Sequence, residues 1–207
     1  MAVVIAAGSF LDELLEAADI RSVFMAALME KFIPILPSYV IFPAMGMAAR
    51  GNSELLLHCL VATLGSVAGA ACWYLLGARI GAARVEQLVD RYGRWMLLTP
   101  ELYQRMAVSY ERRPFSITLL GQLVPTVRIF QALPAGVLRL PLLSFFAATT
   151  VGALCWIMPL AMAGHALRGL GFSPTQAGLS LLVVLVALEA LAFLIARQRF
   201  MRGAGAE

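Results

Sequence analysis

Glu30-Lys31-Phe32-Ile33-Pro34-Ile35-Leu36-Pro37-Ser38 is the stretch on which the fold turns. It sits inside an apolar run, residues 22–49, that is long enough to cross a bilayer, with Pro43 and Gly46 further along. Each proline removes a backbone donor and clashes with the preceding turn. Three of them, at 34, 37 and 43, rule out one straight helix. Broken backbone at membrane depth survives only where protein or a water-filled cavity surrounds it. The run therefore predicts two half-helices in a re-entrant hairpin, with its tip at Pro34–Pro37.

Outward from this point the pattern recurs. Residues 114–138 are again apolar and interrupted, by Pro125 and Pro134, with Gly121 and Gly136 nearby. Each broken segment is followed by a plain apolar one, 55–78 and 141–165, each about the 20 residues that a span needs. Paired interruptions in corresponding positions are the mark of an internally duplicated transporter with a binding site near the midplane. The first plain segment carries Gly65, Gly69 and Gly77, small residues that admit a close helix neighbour. Residues 177–196 read as a third span. The expected class is an all-α polytopic membrane protein with two opposed re-entrant hairpins, about three full spans and an inverted-repeat character.

Composition agrees. Of 207 residues, 61% are hydrophobic and 14% charged, against roughly half and a quarter in soluble domains. One water-soluble core of this size cannot hide that excess. A net charge of +4 spread over scattered Arg residues excludes nucleic acid as the expected partner and fits a membrane surface. The remaining parts are polar-faced. Residues 9–20 alternate Phe10, Leu11, Leu14 and Leu15 with Asp12, Glu13, Glu16 and Asp19, as an interfacial helix does. Residues 79–113 are amphipathic and rich in Arg, and 197–207 end in Arg197, Arg199 and Arg202. Excess Arg marks cytoplasmic loops, so both are placed in the cytoplasm and 50–54 and 168–175 outside. The first eight residues lack the basic start of a cleaved signal peptide.

The motifs resemble the DedA family of membrane proteins. Glu30 with the Pro34/Pro37 tip is similar to its first hairpin, and Gly65, Gly69, Tyr74, Gly77 and Gly81 to its glycine-rich span. Gly121-Gln122-Leu123-Val124-Pro125-Thr126-Val127-Arg128 and Pro134-Ala135-Gly136 with Arg139 resemble the second hairpin, and Phe145, Gly152 and Trp156 the next span. The resemblance implies a bacterial inner-membrane, multi-pass location and the transport of lipid carriers such as undecaprenyl phosphate. Two positions depart from the family pattern: Tyr39 stands where it has an acid, and Gln122 where it has an Arg.

Charged residues inside apolar runs are expensive and normally partnered or functional. Glu30 and Arg128, one on each hairpin, are therefore the central candidates. Arg suits a phosphate because its planar fork binds two oxygens at once. The alternative for the pair is a structural salt bridge. Pro34, Pro37, Pro125, Tyr39 and Gln122 complete the transport-site set. Arg139 belongs to it as a cytoplasmic headgroup contact, with simple snorkelling as the alternative. Glu189, alone in the apolar 181–195 run, is the candidate proton site.

No nucleophile elbow, metal-ligand spacing or phosphate-binding loop occurs, so neither an enzyme nor a cofactor is expected. Cys59, Cys72 and Cys155 read as buried small hydrophobes, and His58 and His165 as interfacial residues. The expected function is translocation of a phosphate-bearing lipid, undecaprenyl phosphate or a phospholipid, as flippase or scramblase, with membrane lipids as partners and a homo-oligomer allowed. The alternatives are a proton- or ion-coupled small-solute transporter and a non-transport scaffold.

Overall fold

The computed structural model describes residues 19–33, 38–81, 112–123, 127–128 and 131–172, with isolated positions at 108, 110, 176, 180–181, 183–184 and 187. Within them lie six helices: α1 Ile20–Met29, α2 Ser38–Ala48, α3 Asn52–Ile80, α4 Pro114–Leu123, α5 Ala132–Val137 and α6 Leu142–Gly169. Among the described residues there is no strand. The tips Pro34, Pro37 and Pro125, residue Glu189, nearly all of the 9–20 and 79–113 helices, most of 177–196 and the 197–207 tail lie outside them.

The two plain segments are long helices. α3 has 29 residues and α6 has 28, or about 42–44 Å at 1.5 Å per residue. Both are long and apolar enough to cross a bilayer. α3 runs past the expected 55–78 at both ends, and α6 runs past the expected 141–165 at its C-terminal end. Each interrupted segment is broken into short helices. α1 and α2, with 10 and 11 residues, reach about half of a 30 Å hydrocarbon core.

Two prolines expected to break the chain do not. Pro43 lies within α2. Its missing N–H costs the helix only the bond to the Tyr39 carbonyl, one turn earlier. Pro134 is the third residue of α5. In a first turn the backbone N–H has no intrahelical acceptor to lose. In the first segment the helix ends at Met29, just before Glu30.

The helices pair by exchange. α1 and α5 pack on α3, α4 and α2 pack on α6, and α3 and α6 pack on each other. Each long helix thus holds the first arm of the broken segment before it and the second arm of the other. Both carry two glycines twelve residues apart, Gly65 and Gly77 on α3 and Gly152 and Gly164 on α6. These are the contact points: Gly65 meets Phe24 of α1, Gly77 meets Leu133 of α5, Gly152 meets Gln122 of α4, and Gly164 meets Pro43 of α2.

One apolar core joins Val23, Ile41, Phe42, Met45, Ala62 and Ile157, and a second joins Tyr74, Ala132, Ala135 and Phe145. The Tyr74 and Phe145 rings lie 4.8 Å apart. The outward faces are apolar as well: Leu60, Leu64, Leu75, Leu143 and Met162 are exposed, Leu143 by 85%. Large aliphatic groups outside and charges inside reverse the distribution of a water-soluble protein. Cys59 is buried as expected, whereas Cys72 and Cys155 are exposed on the long helices. His58 is buried within the protein, and the reason is a helix end. The last carbonyls of α2 have no intrahelical donor. His58 Nδ1 lies 3.4 Å from the Met45 oxygen, His165 Nδ1 lies 3.1 Å from that of Gly46, and Arg168 donates to that of Ala49 at 3.0 Å.

Candidate functional site

The charged residues of the two broken segments meet. Arg128 donates to Glu30 Oε1, joining positions 98 apart in sequence. Lys31 joins them, with Nζ 3.9 Å from Glu30 Oε2. Glu30, Lys31 and Arg128 are 1%, 2% and 3% exposed. Two cations thus share one carboxylate, so that among the described residues the buried cluster holds one more cation than anion. Glu30 Oε2 has no hydrogen-bond partner among the described residues.

Helix packing places each member. Glu30 is the C-cap of α1, where its own N–H bonds back to the Ala26 carbonyl. The Lys31 stem lies against α3, so that a Cβ on Gly69 would come within 2.8 Å of its Cβ and Cγ. The Lys31 carbonyl accepts from Trp73 Nε1 at 2.9 Å, and Trp73 stacks on Phe32 at 5.7 Å. The Arg128 guanidinium sits over the Trp156 ring of α6, 4.8 Å from its centroid, within cation–π range. Trp156 Nε1 reaches Ser38 Oγ at 3.4 Å, at the start of α2. The two broken segments and both long helices therefore converge on one buried site.

Beside it runs a neutral polar group. Gln122, where the sequence pattern leads one to look for an Arg, is buried and packs against Gly152. With the Gln131 amide nitrogen donating to the Thr118 carbonyl at 3.2 Å, its oxygen accepts from Gln122 Nε2 at 2.8 Å. Thr118 and Thr149 are buried, and their hydroxyls lack a partner among the described residues. Tyr39 is half-buried in the first turn of α2.

Arg139 lies apart from this cluster. It is exposed, beyond the end of α5, with φ +50°. The Leu140 N–H bonds to the Ala135 carbonyl at 3.1 Å and the Arg139 N–H to that of Gly136 at 3.0 Å. This is a Schellman turn with Arg in the position that glycine favours. A separate cavity of about 430 Å³ is lined by Asp19, Arg21, Glu54 and His58 with Ile20 and Leu57, none of them in the charge cluster. Asp19 there caps α1, accepting from the Ser22 N–H at 2.8 Å and its hydroxyl at 2.7 Å. Those two bonds, the backbone one foremost, hold its carboxyl below the ordinary value of 3.8.

Lys31, Gln131, Thr118 and Trp156 were not singled out from sequence as site residues. Lys31 had a signal: it is the single lysine of the chain and follows Glu30 inside an apolar run. Gln131 had a weaker one, as a second amide nine residues after Gln122.

Such a fold defines an all-helical membrane protein with a charged site buried between broken helices. The chain belongs to the VTT domain family, the DedA family, whose match spans residues 36–166. It is 25% identical over 147 residues to a Staphylococcus aureus protein named undecaprenyl phosphate transporter A, covering 70% of this chain and 72% of that one. It is 31% identical over 142 residues to a Lactococcus lactis protein named alkaline phosphatase-like, covering 68% of this chain and 66% of the other. A Mycobacterium tuberculosis protein described as an uncharacterized membrane protein is 29% identical over 100 residues, 46% of this chain and 43% of its own. No solved structure matches.

Proposed function

We propose that the chain translocates a phosphate-bearing lipid, with the α1–α2 and α4–α5 segments acting as opposed re-entrant hairpins in a bacterial inner membrane. The carrying observation is the buried Glu30–Lys31–Arg128 cluster, with its excess of one positive charge. A lone buried charge is costly, and a phosphate arriving from lipid would neutralise it. Arg128 would bind two of its oxygens, while Gln122, Gln131 and Thr118 offer neutral hydrogen-bonding groups beside it. α1 and α2 are too short to span, which favours entry and return on the same side.

The name of the staphylococcal relative points to the same chemistry, with undecaprenyl phosphate as one candidate lipid and phospholipids as others. The phosphatase-like name of the lactococcal relative is not matched by a catalytic constellation among the residues gathered here, so this reading is of a transporter and not an enzyme. Pro34, Pro37 and Pro125 would form the hairpin tips. Arg139, exposed at a helix end, would touch headgroups from the cytoplasmic side, and Glu189 would be an accessory acid.

The test is lipid translocation by the purified protein in vesicles. Arg128→Ala is expected to abolish it while leaving the protein folded, and Arg128→Lys to restore part. Equal rates with Lys and Arg would defeat bidentate phosphate binding.

A further inference from the structure

We infer that Lys31 sets the specificity of the site, selecting phosphate groups of net negative charge and rejecting zwitterionic ones. This deepens the lipid-translocation reading and rests on it.

Without Lys31 the site would be a neutral Glu30–Arg128 pair. That pair suits a zwitterionic headgroup, with phosphate on the guanidinium and amine on the carboxylate. Lys31 removes the match. Its ammonium stands 3.9 Å from Glu30 Oε2, the carboxylate oxygen that has no hydrogen-bond partner among the described residues. An incoming amine would meet a like charge where it needs the free oxygen, and like charges juxtaposed in an interface cost several kcal/mol. A net anion meets two cations and one shared counter-ion, and the excess positive charge is cancelled.

Lys31 is buried at the site. Its first side-chain carbons lie against Gly69 and its carbonyl accepts from Trp73, which fixes where the side chain leaves the backbone. Selection therefore works by repulsion of the wrong head as well as attraction of the right one.

The experiment uses full-length protein in phosphatidylcholine vesicles, with acyl-chain-labelled phosphatidylglycerol as the net anion and acyl-chain-labelled phosphatidylethanolamine as the zwitterion. The parent protein is expected to move the anion about tenfold faster or more. Lys31→Met keeps the stem length and leaves the Glu30–Arg128 pair balanced, so the variant is expected to fold. Its rate ratio should fall toward one, with the anion slowed and the zwitterion admitted. Lys31→Arg keeps the charge and should keep the preference.

A Lys31→Met protein with the parental ratio overturns the inference. So does a parent that moves both lipids equally, which decides the matter even if Lys31→Met does not fold. A parent that moves neither lipid, yet binds inorganic phosphate in a Lys31-dependent manner, supports the anion clamp and overturns lipid translocation. Absence of both lipid movement and phosphate binding overturns both.

Discussion

Gly136 presses its backbone onto the Tyr74 carbonyl: a Cβ there would lie 1.9 Å from that oxygen. Gly77, one turn on from Tyr74, is placed in the same way: a Cβ on it would lie 2.2 Å from the Leu133 carbonyl oxygen. The α2–α6 contact repeats the arrangement: a Cβ on Gly46 would lie 1.9 Å from the Ala161 oxygen, and one on Gly164 would lie 2.1 Å from that of Pro43. In all four places the obstacle is backbone, which cannot turn aside as a side chain can. Gly136→Ala and Gly46→Ala are expected to lower stability by about 1–3 kcal/mol or more through overpacking. Gly51→Ala, at an extended cap position with nothing within 4 Å, should be near neutral. Thermal unfolding in detergent checks the contrast, and an equal effect at Gly51 and Gly136 would contradict the close approach.

The shared carboxylate predicts an order among the buried charges. Glu30→Gln removes the counter-ion that Lys31 and Arg128 share among the described residues. Arg128→Gln leaves Glu30 still balanced by Lys31. Breaking a buried pair costs roughly 3–5 kcal/mol, and the larger loss should fall on Glu30→Gln. Yield of folded protein and melting temperature report this directly. A more damaging Arg128→Gln would mean that Lys31 does not share the carboxylate.

Arg139 occupies left-handed backbone at φ +50°, a conformation that costs a non-glycine residue about 1–2 kcal/mol. Arg139→Gly is expected to raise the melting temperature, since the Schellman turn favours glycine. If lipid movement falls at the same time, the side chain is used at the headgroup level. Unchanged movement with higher stability would leave it a snorkelling residue only.

Much of this architecture was legible beforehand because proline and glycine act locally. The short helices of the two proline-bearing segments and the two long apolar helices follow from local backbone and composition rules that need no tertiary information. Pro43 and Pro134 misled because a proline's effect depends on its position within the helix. Glu30 and Arg128 stood out as charges in apolar runs. Lys31 was harder to read, since beside Glu30 it resembles an ordinary interfacial lysine. Its burial and the contact of its stem with Gly69 on another helix show that it points inward. The Gln122–Gln131 amide contact depends on how α4 and α5 come together, which no local pattern encodes.

Asp19 supplies an acid limit. Its carboxyl is held low by bonds from Ser22, so its contribution is present above the ordinary value of 3.8 and is lost as pH falls through the lower folded value. The parent should lose α1 stability below about pH 4. Asp19→Asn keeps an acceptor and should lack that part of the acid loss. Melting curves across pH for the two proteins decide it, and parallel curves would remove Asp19 from the account.

Tyr39 and Gln122 test whether the missing family charges can be restored. Gln122 is buried, packed on Gly152 and paired with Gln131. Gln122→Arg would break the amide contact and add a second uncompensated cation to a site that already has one, so it is expected to destabilise strongly. Tyr39 is half-buried in the first turn of α2, which has no acid there. A carboxylate in a first turn is favoured by the helix dipole, and it would offset the excess charge brought by Lys31. Tyr39→Glu alone is therefore expected to be tolerated, and the double variant to recover part of what Gln122→Arg loses. Lipid movement by the parent should change little when a pH difference is imposed across the vesicle, because the extra acid–base pair is absent, whereas the double variant should respond to it. Melting temperatures of the three variants, with translocation measured with and without the gradient, form the test. A parent steeply driven by the gradient, or a Tyr39→Glu protein less stable than Gln122→Arg, would show that the acid function resides elsewhere in the chain.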